Sequence, residues 1–207
     1  MIYVIGIGPG HPDYLLPAAE NAAQKCQVLV GGQRALALFD KLSCQRFQVT
    51  GNLIQLKDFL RNNLSKDRNI GVLVSGDTGF YSLLPFLRKN FPETRLEVIP
   101  GISSLQLIFA RAGLAWQEAN LTSVHGRPLA LVDTDPGQLL GLLTGKENSP
   151  NIIAQYLLKH GPNRRVWLGN NLSYPDEVVL ETDLTSLALD ESTYLNAVLI
   201  IMPTEEN

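Results

Sequence analysis

The sequence predicts an α/β protein of two α/β domains, residues 1–113 and 114–207, with a ligand cleft between them. Three observations lead there. Short runs rich in Val and Ile alternate with helix-length amphipathic segments, the pattern of mostly parallel strands joined by helical crossovers. Charge changes sign along the chain, from +4 over residues 1–113 to −7 over residues 114–207 within a net charge of −3. Several strands of the first half end in glycine turns, at the edge where open α/β sheets bind ligands.

The first strand, near Ile2–Gly6, runs into Gly6-Ile7-Gly8-Pro9-Gly10-His11. This nearly matches a dinucleotide fingerprint and then breaks it. Gly6 and Gly8 fit G-x-G-x-x-G, but His11 stands where the third glycine belongs. Pro9 has no N–H to offer an anion and stiffens the loop. The strand at Gln27–Val30 ends in Gly31-Gly32, without the acid that would hold a ribose. A nicotinamide dehydrogenase is therefore the weakest reading of this turn, and a tight strand-to-helix turn without any ligand is the plain alternative.

Further strands are expected near Arg46–Val49, Ile70–Ser75 and Leu96–Ile99, with helices near Tyr14–Gln24, Gln33–Lys41, Leu53–Asn63, Phe80–Asn90 and Ser104–Ala112. Ser103 and Gln106 are spaced as a capping box for the last helix, and Gly113 suits a left-handed stop. In the second half, strands are expected near Leu121–Val124, Leu129–Val132, Arg165–Leu168 and Ala197–Met202. Ser149-Pro150 opens a helix with Ile152, Ile153, Tyr156 and Leu157 on one face, and Gly161-Pro162 ends it. Residues 170–185 are polar and turn-rich, with a strand at Val178–Leu180.

At 207 residues, 45% hydrophobic and 18% charged, the chain can build a sizeable core. No stretch approaches the roughly 20 apolar residues of a membrane span, and no basic, apolar leader opens it. Cys26 and Cys44 lack C-x-x-C spacing, so a disulfide framework and a zinc site are not indicated. A cytoplasmic location is expected. No Lys/Arg cluster is interleaved with aromatics, which argues against nucleic acid.

Gly71–Val74 leads into Ser75-Gly76-Asp77-Thr78-Gly79-Phe80-Tyr81, an apolar strand ending on a carboxylate between glycines. Asp77 is either a ligand-binding group or the N-cap of the next helix. Pro100-Gly101-Ile102-Ser103-Ser104 repeats the design, and there too capping competes with binding. Three glycine loops on one rim point to a shared ligand. Gly141–Glu147 resembles a P-loop but is one residue short, with Glu147 in the Mg²⁺-binding position, and reads as a helix C-terminus. Leu105 stands where a hydrolase elbow needs glycine. His11, His125 and His160 are too far apart to suggest a metal site. His125-Gly126-Arg127 falls between two expected strands, either as an ordinary hairpin turn or as a basic group facing the cleft.

Together, the G-x-G-P-G loop, Gly76–Ser82, Pro100–Gln106 and Val124–Arg127 resemble the motifs of the tetrapyrrole methylase family, and within it the CbiE type, the cobalt-precorrin-7 C(5)-methyltransferases of cobalamin synthesis. The resemblance covers nearly the whole chain. It implies the tetrapyrrole methylase fold, S-adenosylmethionine as cofactor and methyl transfer to carbon 5 of a cobalt-precorrin. It also implies a homodimer, a stand-alone domain, and a partner methyltransferase that also decarboxylates. Carried over residue by residue, Pro9, Gly76, Asp77, Phe80, Ser103 and Ser104 would line the cofactor pocket. His125, Arg127 and Arg34 would meet the substrate; no catalytic base is evident. Thr78 and Leu16 depart from the family's frequent proline and threonine. Other acceptors on the same fold are RNA ribose or a modified protein histidine, and a non-enzymatic S-adenosylmethionine sensor is a reading of another class.

Overall fold

The computed structural model describes residues 1–194 and 196–204. Two compact units emerge, Met1–Ser103 and Ser104 onward. Each is described by itself.

The first unit is a parallel sheet covered by helices on both faces. Its elements are β1 (Ile2–Gly6), α1 (Pro17–Gln24), β2 (Val28–Gly31), α2 (Gln33–Ala37), β3 (Gln45–Gln48), α3 (Leu53–Leu64), β4 (Ile70–Val74), α4 (Leu84–Asn90) and β5 (Leu96–Ile99). Strand order is β3-β2-β4-β1-β5, and every pairing is parallel. Because strand side chains alternate between faces, one sequence feeds two cores. Ile2, Val4, Val28, Val30, Ile70 and Val72 pack with Leu56 and Leu60 of α3 and Leu87 of α4. Tyr3, Ile5, Leu29 and Leu73 pack with Ala19, Ala22 and Ala23 of α1. Burial, with Cys44 close by, pushes the Cys26 thiol up to about 12, so it stays protonated and packs as a small apolar group.

That order creates a switch point. From β1 the chain crosses to β2 on one side with α1 on one face; from β4 it crosses to β5 on the other side with α4 on the opposite face. The carboxyl ends of β1 and β4 are where open α/β sheets of this order bind ligands.

The second unit holds α5 (Ser104–Ala112), β6 (Asn120–Ser123), β7 (Leu140–Leu143), α6 (Pro150–Leu158), β8 (Arg165–Asn170), β9 (Val178–Asp183), α7 (Leu184–Leu189) and β10 (Ala197–Ile201). Its sheet runs β6-β7-β10-β8-β9. Only β6 and β7 pair in parallel; the other three ladders are antiparallel, so the expectation of mostly parallel pairing holds for the first unit alone. Leu140, Leu142, Val166, Leu168, Leu199 and Ile201 meet α6 and α7 in one core, while α5 packs on β7, β8 and β10. That packing places α5 in the second unit, so the structural division falls one helix before Gly113. The helix ends there as expected: Gly113 has φ +67°, and Gly113 N–H and Leu114 N–H donate to the carbonyls of Ala110 and Phe109, a Schellman stop.

Several local expectations are corrected. Leu129–Leu131 is a 3₁₀ turn and not a strand, since Pro128 precedes it and the N–H groups of Leu131 and Val132 bond locally to Pro128 and Leu129. The segment read as a helix C-terminus is β7 and the turn after it, a short apolar run whose periodicity does not separate helix from strand. His125–Arg127 is consequently no hairpin turn, because the next strand lies parallel to β6. α1 starts at Pro17, after a 3₁₀ turn at Pro12–Tyr14, and α4 starts at Leu84, after Tyr81 at φ +50°. α7, capped by Asp183 accepting from Ser186 N–H, is a six-residue helix that the sequence reading did not assign.

Two charged anchors stabilise the second unit. The buried Arg164 guanidinium donates to the carbonyls of Met202 (2.7 Å), Asp135 (3.2 Å) and Gln138, tying the end of β10 to the 135–138 segment. Arg111 of α5 donates to Glu177 Oε1 at 2.6 Å. The Arg111 hydrogen bond, aided by Ser173 N–H, holds the Glu177 carboxyl below its ordinary value of 4.5. A depressed folded pKa contributes stability that is complete above the unfolded value and is lost as pH falls through the folded one. Acid unfolding followed by circular dichroism should therefore show Glu177→Gln less stable than the parent above about pH 4.5, with the difference shrinking on acidification.

Candidate functional site

Three loops interlock at the carboxyl edge of the first sheet. From the loop after β1, Ile7 N–H donates to Val74 O (3.0 Å) and Gly8 N–H to Gly76 O (3.3 Å), and Gly76 N–H returns a bond to Gly8 O (2.8 Å). Gly8 and Gly76 both have φ near +70°, which glycine adopts without the Cβ penalty. The N–H groups of Ile7 and Gly8 are thus spent inside the protein, and Pro9 has none. The loop withholds its first donors from a phosphate, which is the physical content of the broken fingerprint.

The third loop is held by Asp77. Its Oδ1 accepts from Gly79 N–H at 2.7 Å and its Oδ2 from Gly101 N–H at 3.1 Å. Asp77 is therefore not the N-cap of α4, which begins seven residues later; it clasps its own turn and the loop after β5. An ionised carboxylate has about four acceptor sites, so each oxygen keeps capacity for a ligand donor. Gly101 sits too tightly for any side chain: a Cβ there would lie 2.2 Å from Gly76 O and 2.8 Å from Gly6 C.

Around this clasp the expected residues fall as follows. Pro9 is half-buried at the tip of the first loop. Phe80 is half-buried and meets Tyr81 edge to face at 4.7 Å. Ser103 is buried at the end of the first unit, whereas Ser104 opens α5 and belongs to the second. Arg34 is exposed in the first turn of α2, beyond the carboxyl end of β2. The structure thus joins Pro9, Gly76, Asp77 and Phe80 through adjoining loops.

His125 and Arg127 sit on the turn after β6 in the second unit, His125 exposed and Arg127 half-buried. His125 Nδ1 lies 3.3 Å from Thr144 O. A carbonyl only accepts, so Nδ1 is the donor in this contact. Asn148 donates to the carbonyls of Val124 and Arg127. Sequence reasoning missed Asn148 because it took the preceding run for a helix. The signal was present: Leu139–Leu143 is a short apolar run followed by Gly145 and Asn148, the punctuation of a strand and turn. His160 is remote in role, bonded to Tyr156 O at 2.7 Å and tilted against the Tyr156 ring just beyond α6. Among the described residues no group of three or more His, Cys, Asp or Glu could hold a metal ion, and no helix is long and apolar enough to cross a membrane.

A doubly wound unit whose switch-point loops withhold donors from phosphate, followed by a second α/β unit on a mixed sheet, defines a class of ligand-binding α/β protein distinct from dinucleotide binders. The profile of the Tetrapyrrole (Corrin/Porphyrin) Methylases matches residues 1–188, and the chain belongs to this family. It is 32% identical to a probable cobalt-precorrin-7 C(5)-methyltransferase of Methanocaldococcus jannaschii, over 94% of this chain and 95% of that one. It is 30% identical to the cobalt-precorrin-7 C(5)-methyltransferase of Salmonella typhimurium, over 97% and 98%. In fold it is similar to a uroporphyrin-III C-methyltransferase of Thermus thermophilus complexed with S-adenosylhomocysteine, with a TM-score of 0.76 at 21% identity, over 97% of this chain and 91% of that one.

The interlock predicts a sharp mutational response. Gly101→Ala should destabilise the first unit by more than about 3 kcal/mol, as overpacking against backbone leaves nothing soft to yield. A denaturant melt checks this, with Gly32→Ala as control, since a Cβ at Gly32 meets nothing within 4 Å and its φ of −67° suits alanine.

Proposed function

We propose that this chain is an S-adenosylmethionine-dependent methyltransferase that methylates carbon 5 of cobalt-precorrin-7 in cobalamin synthesis. The observation that carries the reading is the rim itself: switch-point loops whose N–H groups bond to each other, with a carboxylate among them, suit a ligand that is cationic and lacks phosphate. Kinship with C(5)-methyltransferases at about a third identity over nearly full length points to the acceptor.

The donor, when bound, supplies a methyl carbon on a positively charged sulfur. Asp77 accepts hydrogen bonds from its polar end with the acceptor capacity that Gly79 and Gly101 leave. Pro9 and Phe80 present rigid apolar surface that excludes water from the reacting carbon, and Gly76 lets the backbone approach closely. Ser103 and Ser104 offer hydroxyls to the same ligand. Arg127, His125 and Arg34 meet the carboxylates of the corrinoid. Methyl transfer is an in-line displacement by an electron-rich ring carbon, so alignment and water exclusion provide most of the catalysis. The reaction as a whole releases one proton. The enzyme acts in the cytoplasm as a homodimer, and a separate methyltransferase that also decarboxylates works on the same series of intermediates. It takes neither nucleic acid nor membrane as partner.

Incubation of the purified protein with cobalt-precorrin-7 and S-adenosylmethionine should add one methyl group, read by mass spectrometry, and calorimetry should show S-adenosylhomocysteine bound and NAD ignored. A protein that binds NAD or ATP and not S-adenosylhomocysteine would overturn the proposal.

A further inference from the structure

Within the turn that carries His125 and Arg127, His125 N–H donates to Ser123 Oγ at 3.3 Å. The turn's backbone bond, Arg127 N–H to Val124 O, is also long at 3.3 Å, and Gly126 at its centre has φ +63°. Further support comes from the turn after β7. Asn148 Nδ2 donates to Val124 O at 2.9 Å and to Arg127 O at 2.7 Å. An amide nitrogen has two hydrogens, and here both are used, one on each end of the four-residue turn. No other uncharged side chain of this length spans two carbonyls from a single nitrogen.

The clamp is itself fixed. Gly145 N–H donates to Asn148 O at 3.2 Å, closing the 145–148 turn. A Cβ at Gly145 would lie 2.9 Å from His125 Cα, so the two turns touch backbone to backbone. Thr144, whose carbonyl faces His125 Nδ1, is anchored by its hydroxyl to Ala197 O of β10 at 2.8 Å. A path of short contacts thus runs from the central strand of the sheet to the two side chains.

We propose that Asn148 is a positioning residue for the corrinoid substrate, acting through the backbone of the 124–127 turn to set where His125 and Arg127 meet carboxylates. This rests on the reading of that turn as the substrate side. Asn148 reaches the ligand only through those neighbours, so its loss should weaken substrate binding and spare the methyl donor.

The test is steady-state kinetics with cobalt-precorrin-7, with calorimetry of S-adenosylhomocysteine on the same samples. Asn148→Ala should raise KM for the corrinoid about tenfold, the effect of losing a buried bond or two, while S-adenosylhomocysteine affinity stays within about twofold. Asn148→Asp keeps the shape but points oxygen at two carbonyls, and should do worse. Asn148→Gln keeps the amide and should have the lower KM of these two, a comparison that stands even if the alanine variant does not fold. Gly145→Ala should reproduce the KM rise by pushing on His125. In an Arg127→Ala background, Asn148→Ala should add little, since both act through one contact. An unchanged KM, a parallel fall in S-adenosylhomocysteine affinity, or independent multiplication of the two effects would each overturn the proposal. If the parent enzyme methylates the corrinoid and these variants keep its KM, only this inference fails. If the parent neither binds nor methylates it, the substrate reading fails and this one with it.

Discussion

Everything at the candidate site depends on how closely the backbones of Gly6, Gly76 and Gly101 approach, and on the carboxylate that keeps them there. Main chain packs on main chain with no room for a Cβ at Gly101, and Asp77 bonds its own turn with one oxygen and the loop after β5 with the other. Steric fit brings the loops into reach, and charge-assisted bonds, stronger than neutral ones, fix their register. The two effects are complementary, because glycine's conformational freedom would otherwise leave the loops loose.

The same arrangement limits which donors the rim can offer a ligand. A helix or loop that binds phosphate aims free N–H groups at it. Here Ile7 and Gly8 donate to the neighbouring loop, proline removes another donor, and a carboxylate stands among the loops. The switch-point topology shared with nucleotide-binding sheets remains, with its chemistry inverted toward a cationic ligand.

The second unit solves a different problem with different means. Its mixed sheet puts the carboxyl ends of β6 and β7 side by side, so two turns far apart in sequence can support each other. Asn148 and Thr144 supply that support from the β7 side and the exposed His125 and half-buried Arg127 are its beneficiaries. A turn held by its neighbour can present side chains without being stiff in its own sequence.

Much of this was legible in the residues. β1, β5 and α5 begin and end where periodicity, glycine and capping signals put them, because those signals act within a few residues. Pro9's missing donor and the glycine spacings are covalent facts, and they already argue against a phosphate cradle. Where reading failed, the deciding force was not local. Leu140–Leu143 is a strand because β6 and β10 flank it, and α5 joins the second unit because β7, β8 and β10 receive its apolar face. The sequence by itself determined which loops could be tight and which could not donate. Only the tertiary structure decided that Asp77 would reach Gly101 and Asn148 would reach Val124 and Arg127, since a side chain's long-range partner is chosen by the packing of strands that bring it near.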